Sequence, residues 1–267
     1  MQKVNITNTD INVSVLGLGT VKLGRNTAVK YPTTFNIPDD KTAFAILHTA
    51  AEQGINLLDT APAYGNSEAR LGELIKHTSN EWIISTKVGE IFNPATGQSI
   101  YNFSPEHIQI SIENSLRRLQ RDYLDIVLVH SNGDDENIIQ NYGALDTLNQ
   151  LKQKGLIRAT GMSTKTVDGG ILAAKCADII MVAHSLTYQQ DIPVIEYAGQ
   201  HKKSIFIKKA FDSGNCTLTS PEKSIQKTFD HIYKNSGVSS IILGSINPEH
   251  IKNNSISAKK SYDKYGQ

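Results

Sequence analysis

The stretch Leu57-Leu58-Asp59-Thr60-Ala61-Pro62-Ala63-Tyr64-Gly65-Asn66-Ser67-Glu68 changes character three times. It begins as a buried apolar strand, stops at the carboxylate of Asp59, turns through Pro62 and enters a helix near Asn66. The flanks repeat this grammar. Upstream, Phe44, Leu47 and Ala51 recur at helical spacing from Asp39 onward, Gly54 stands where a helix should stop, and Ile55-Asn56-Leu57-Leu58 follows at once. Downstream, Leu71, Leu74 and Ile75 mark one face of the next helix, and Trp82-Ile83-Ile84-Ser85-Thr86 is the next strand. Ser104-Pro105-Glu106 reads as an N-cap, a first-position proline and an early acid. Ile108, Ile112, Leu116 and Leu119 give that helix its stripe, and strand Leu124-Asp125-Ile126-Val127-Leu128-Val129 then ends at His130.

The second half continues in kind. One helix carrying Ile138, Tyr142, Leu145 and Leu148 runs to Gly155, and strand 156–161 follows. Ile171-Leu172-Ala173-Ala174 marks a helix before strand 178–183, and Val194, Ile195, Tyr197 and Ala198 mark a short one before strand 204–208. Ser220-Pro221-Glu222 caps a helix with Ile225, Phe229 and Ile232 inward, and Gly237 stops it. The last strand is 239–244, and Asn247-Pro248-Glu249 caps a final helix. At the start, Val4-Asn5-Ile6 and residues 11–15 alternate around Asn8-Thr9-Asp10, which predicts a β-hairpin before a first strand at 15–20. Residues 21–38 and 88–103 read as long loops, and loops of that length in a compact fold usually serve function.

About eight strands result, each continuously apolar rather than alternating, as buried parallel strands are. Eight β-then-α units predict a single (β/α)8 barrel of the TIM type over residues 1–267, with an N-terminal β-hairpin. An open doubly wound sheet would need a glycine fingerprint after its first strand. Here Gly17-x-Gly19 leads into a loop and Gly24 is misplaced for it.

Bulk composition narrows the partners. Twenty-seven Lys and Arg against twenty-six Asp and Glu leave a net charge of +1. This argues against nucleic acid or an anionic membrane as the main partner. No apolar run is long enough for a membrane span and no leader is visible, so a cytoplasmic setting is expected. Cys176 and Cys216 form no metal spacing or disulfide framework, and Cys176 reads as a packing residue. No metal site is expected.

On such a barrel, reactive groups gather at the C-terminal ends of the strands. Asp59, Lys87 and His130 end the second, third and fourth strands, and Tyr64 follows the second. All four are therefore expected on one rim. Asn132 and His48 read as structural.

These residues stand in a familiar setting. The segment 58–68, Ser85-Thr86-Lys87-Val88-Gly89, Ser115-Leu116-Arg117-Arg118-Leu119, Asp122-Tyr123-Leu124-Asp125, His130 and Gly161-Met162-Ser163 together resemble the aldo-keto reductase family over essentially the whole chain. The resemblance implies NAD(P)H-dependent reduction of an aldehyde, a ketone or a sugar, or the reverse alcohol oxidation. It implies Tyr64 as general acid, Lys87 as the ammonium that tunes it, Asp59 as the anchor of Lys87, and His130 as orienter of the carbonyl oxygen. An ammonium beside a phenol of pKa ~10 is expected to lower that pKa.

For the cofactor, the resemblance implies Ser163 at the nicotinamide carboxamide. It also implies Gly244, Ser245, His250 and Asn254 at the adenosine-phosphate end, with Lys208 or Lys209 adding charge. The sequence departs from the family pattern at Thr164, Met181 and Lys208-Lys209-Ala210-Phe211, where Phe211 is left as the aromatic available for stacking. NADP is the implied cofactor, NAD the alternative, and a monomer the implied state. Two rival readings share the residues. One is a barrel aldolase with Lys87 or Lys208 as Schiff base. The other is a nicotinamide-binding regulatory barrel without turnover. Substrate choice is assigned to loops 21–38, 88–103 and 131–136 and to the C-terminal tail.

Overall fold

The computed structural model describes residues 1–217 and 221–266, and the Ser220 cap expected above lies outside the described residues. In chain order the strands are β1 (Lys3–Asn5), β2 (Asn12–Ser14), β3 (Leu16–Gly19), β4 (Leu57–Asp59), β5 (Ile83–Val88), β6 (Glu90–Asn93), β7 (Gln98–Tyr101), β8 (Leu124–His130), β9 (Ile157–Ser163), β10 (Ile179–Ala183), β11 (Ser204–Lys208) and β12 (Val238–Leu243). The helices are α1 (Val21–Gly24), α2 (Asp40–Glu52), α3 (Ser67–Leu74), α4 (Pro105–Leu119), α5 (Asp135–Gln140), α6 (Ala144–Gln153), α7 (Val167–Cys176), α8 (Ile192–Gln200), α9 (Pro221–Tyr233) and α10 (Pro248–Tyr265).

Strands β3, β4, β5, β8, β9, β10, β11 and β12 form a closed barrel, all neighbours parallel, with β12 pairing back onto β3. This is the (β/α)8 barrel. Closure follows from strands that are apolar on both sides. Leu57, Ile126, Leu128, Ile179, Met181, Phe206 and Ile242 pack inside the barrel, while a larger cluster lies between strands and helices. The β1–β2 hairpin joins the inner cluster through Ile6, Ile11 and Val13, all fully buried. It therefore seals the end of the barrel opposite the strand C-termini. Each such side chain contributes roughly 1.5–3 kcal/mol by leaving water.

Helix caps follow their sequence signals. Asp39 accepts from the Thr42 N–H, Ser104 from that of His107 and Asn247 from that of Glu249. Glu68, at the start of α3, is buried. It accepts from Thr86 Oγ1 at 2.5 Å and from Arg118 Nε at 2.7 Å, tying the helix to β5 and α4.

Three expectations are corrected. Residues 88–103 contain an antiparallel ribbon, β6–β7, whose turn is held by Asn93 Oδ1 accepting from the N–H of Ala95 and of Thr96. The helix expected around Tyr142 is two helices, α5 and α6, broken where Gly143 adopts a φ of 60°; Tyr142 is exposed rather than inward. Cys176, expected to pack inside, is exposed at the end of α7.

Candidate active site

Register places the expected groups. Gly19 on β3 pairs with Asp59, Asp59 pairs with Ser85, Lys87 lies two residues further along β5, and His130 pairs with Ser163. All four strand ends open on one cavity of about 630 Å³ at the C-terminal rim. Asp59, Tyr64, Lys87, His130, Ser163, Lys208 and Gly244 all line it.

At its base Lys87 donates to both carboxylate oxygens of Asp59, at 2.8 and 2.7 Å, and to the Thr60 carbonyl at 2.8 Å. Ser85 Oγ donates to Asp59 at 3.2 Å. Both charges are buried, Asp59 at 3% exposure and Lys87 at 1%. Burial acts to lower Lys87, but the Asp59 carboxylate and the Tyr64 oxygen together hold its pKa above the ordinary lysine value. An ammonium so deeply buried persists only because every proton is spoken for.

Tyr64 stands over this pair, its ring centroid 4.7 Å from Lys87 Nζ. The turn that aims it needs Gly65, whose φ is +65° and whose Cβ would collide with the Gly24 carbonyl oxygen. Lys87 lowers the phenol's pKa as expected. Burial outweighs it, so the net shift is upward and Tyr64 carries its proton. The His130 ring meets Tyr64 edge to face, centroids 6.3 Å apart.

Two groups at the site carry no motif. Glu90, first residue of the β6–β7 ribbon, places Oε2 2.7 Å from His130 Nδ1 and accepts from Ser99 Oγ at 2.5 Å. Burial would raise its pKa; His130, Ser99 and Arg25 together bring it down to about 2. Gly89, with φ +101°, makes the bend into the ribbon, and a Cβ there would strike the Phe103 ring. Arg25 lies over the Phe92 ring at 3.4 Å and donates to the carbonyls of Thr27, Ala28 and Ala63. It thus pins the 21–38 segment to the turn before Tyr64.

The far side of the cavity differs. Lys208 donates to Ser163 Oγ at 2.8 Å and to the Thr164 carbonyl at 2.9 Å, with no carboxylate in ion-pair contact among the described residues. Burial, then Lys209, brings its pKa down to about 7. Ser163 Oγ thus accepts from a lysine and keeps its own hydroxyl hydrogen to donate. Lys165 and Lys209 also face the cavity. His184, fully buried, lines it and stacks on His231 at 4.9 Å, and neither of its ring nitrogens makes a well-formed hydrogen bond.

The remaining sequence-derived residues lie apart. Ser245 Oγ accepts from the Asn247 N–H at 3.1 Å, and His250 and Asn254 sit on the first turns of α10, outside the cavity lining. Phe211 packs edge to face on Phe229 and is also outside it.

A nicotinamide dinucleotide suits this arrangement. The cavity runs from the Tyr64–Lys87 pair to Gly244, and along the way it presents the Lys208 amine, which makes no close ion pair among the described residues. Pyrophosphate is a polyanion of the kind such cations and the N-terminus of a helix such as α10 accommodate.

A parallel eight-stranded barrel with a buried Lys–Asp pair beneath a tyrosine at its C-terminal rim defines a class of oxidoreductase scaffold. The family model of the Aldo/keto reductase family matches residues 15–204, and the chain belongs to that family. It is similar over 97% of its length to a Pseudomonas aeruginosa structure provisionally assigned to the aldo-keto reductases. Identity there is 42%, the TM-score is 0.87, and 94% of that chain is covered. It is 34% identical to the NADH-specific methylglyoxal reductase of Escherichia coli, over 63% of this chain and 53% of that protein. It is 32% identical to the L-galactose dehydrogenase of Arabidopsis thaliana, over 60% and 48%. The chain thus aligns with about half the length of these curated relatives.

Proposed function

We propose that this protein interconverts a carbonyl compound and the corresponding alcohol with a nicotinamide dinucleotide, with Tyr64 as general acid and base. The buried Asp59–Lys87 pair under the Tyr64 ring carries this reading. Reduction of a carbonyl leaves charge growing on oxygen, and a proton must reach that oxygen. Tyr64 holds such a proton, kept on by burial. Once the proton leaves, Lys87 stabilises the phenolate, and Asp59 keeps the ammonium charged and aimed. Asp59 is thus a positioning residue. His130 lines the same cavity and, when its ring carries a hydrogen on the nitrogen facing that oxygen, would donate a hydrogen bond to it. When bound, the dinucleotide supplies or accepts the hydride, and Lys208, with Lys165 and Lys209, would hold its negative charge.

The relatives act, by name, on methylglyoxal and on L-galactose. Small aldehydes and neutral sugars are therefore the substrate classes proposed here, with NADP as the cofactor and NAD as the alternative. A monomer in the cytoplasm remains part of this reading. Among the described residues, no helix is long and apolar enough to cross a membrane.

The test is consumption of NADPH and NADH with a panel of 2-oxoaldehydes and aldoses, and formation of either from sugar alcohols. Steady turnover with one cofactor supports the reading, and binding of both without turnover would favour a regulatory barrel. Lys208 is the feature that favours the Schiff-base alternative, since an amine of pKa about 7 is nucleophilic near neutrality. Borohydride trapping of a carbonyl substrate on Lys208 would replace the reduction mechanism with that one.

A further inference from the structure

We infer that Glu90 is a positioning residue for His130: it keeps a proton on Nδ1, so that the nitrogen presented to the reacting oxygen is Nε2. The inference rests on the carbonyl–alcohol reading above and adds to it the protonation of the fourth residue of the site.

Geometry leads to it. The only carboxylate oxygen in ion-pair contact with His130 among the described residues is Glu90 Oε2, 2.7 Å from Nδ1, at an angle not yet ideal for a hydrogen bond. Such contacts commonly tighten when ligand binds. A bare Nδ1 lone pair at that distance from a carboxylate would be repelled, so Nδ1 carries hydrogen. Glu90 is itself fixed, with Ser99 Oγ donating to its other oxygen and Arg25 3.9 Å from the same atom. The ring lines the cavity, and Nε2 has no hydrogen-bond partner among the described residues. Second-site carboxylates that select an imidazole tautomer in this way are a general device.

The consequence is chemical. With Nδ1 protonated, a neutral His130 offers Nε2 as an acceptor, which suits an alcohol hydroxyl. The imidazolium offers Nε2–H as a donor, which suits a carbonyl oxygen. No proton is consumed at His130; Tyr64 supplies the one that ends on the product. Carbonyl reduction is therefore favoured below the His130 pKa and alcohol oxidation above it. The charged groups facing the ring set where that lies. Burial, Lys87 and Lys208 act to lower it, Glu90 acts to raise it, and Tyr64 meets its edge.

Nitrogen-15 NMR of histidine-labelled protein, with His130→Gln to assign the signal, reads the tautomer without any substrate. The wild type is expected to keep hydrogen on Nδ1 in the neutral ring, and Glu90→Gln to shift it toward Nε2. A wild-type His130 with its neutral proton on Nε2 overturns the inference outright, as does a tautomer unmoved in a folded Glu90→Gln. The kinetic arm uses the carbonyl substrate found above. In the wild type, kcat/KM for reduction should fall about tenfold per pH unit above the His130 titration. In Glu90→Gln the fall should flatten, because a neutral ring can then donate from Nε2. Identical pH profiles in the two proteins count against the inference. Absence of turnover in both, with the tautomer as expected, would instead sink the carbonyl–alcohol reading and leave only the control of the tautomer by Glu90 standing.

Discussion

The two walls of the cavity hold their lysines in opposite ways. On the β4–β5 wall, Lys87 is saturated: two carboxylate oxygens and one carbonyl take its hydrogens, at 2.7–2.8 Å. On the β9–β11 wall, Lys208 has only a hydroxyl and a carbonyl. The first lysine stays charged, above its ordinary pKa, while the second falls to about 7. A saturated cation serves as a fixed part of the machinery. An unsaturated one has something left to give to an anionic ligand.

The largest expected effect lies above the saturated wall. Tyr64→Phe should lower kcat by roughly a hundred- to ten-thousand-fold while leaving dinucleotide affinity nearly unchanged. Near-normal kcat in this variant would show that the proton comes from elsewhere. Next is the wall itself. Lys87→Met strands a buried carboxylate and should cost about 3–5 kcal/mol of stability in chemical denaturation, together with turnover. The double variant Asp59→Leu with Lys87→Met should regain much of the stability and none of the activity. If it does not, Asp59 and Lys87 are not an isolated pair.

The unsaturated wall should respond more mildly, and in binding. Lys208→Met is expected to weaken dinucleotide affinity about tenfold, the loss of one charge-assisted hydrogen bond. Because Lys208 is charged only below a pKa of about 7, wild-type affinity should decline as pH rises through that value, and the Met variant should not follow. Calorimetric titration at several pH values reads both. The smallest effects belong to Ser245→Ala and His250→Ala, outside the cavity. Each should alter the NADPH-to-NADH affinity ratio by about two- to fivefold. A ratio unmoved by either would remove them from the cofactor site.

The same contrast explains what could be read in the sequence. Asp59, Lys87 and His130 end apolar strands, and the period of those strands is the strongest local signal a chain carries, so barrel and rim followed together. Glu90 was not legible as a site residue, because residues 88–103 read as a loop. The turn residues Asn93-Pro94 and Gly97, set between the short apolar pairs Ile91-Phe92 and Ile100-Tyr101, are the available hint of a ribbon. Nothing local marks Arg25 as a site residue, because the Ala63 carbonyl, the Phe92 ring and Glu90 are brought to it by the fold. Tyr64's net pKa shift is not legible for a similar reason: sequence shows the lysine neighbour, whereas burial is a property of the whole rim. Gly143, breaking one expected helix into α5 and α6, shows a single positive φ overruling a regular apolar period.

The stacked imidazoles beneath the β10 end carry a liability of their own. His184 is held down to about 4, against 6.5 for a free imidazole, by burial and by the His231 ring beside it. Between those two values the unfolded chain takes up a proton that the native one refuses, so acidification through that window favours unfolding and neutralisation restores the fold. Mild acid should thus loosen the barrel first where His184 meets α9, long before the salt-bridged carboxylates across the rim give way.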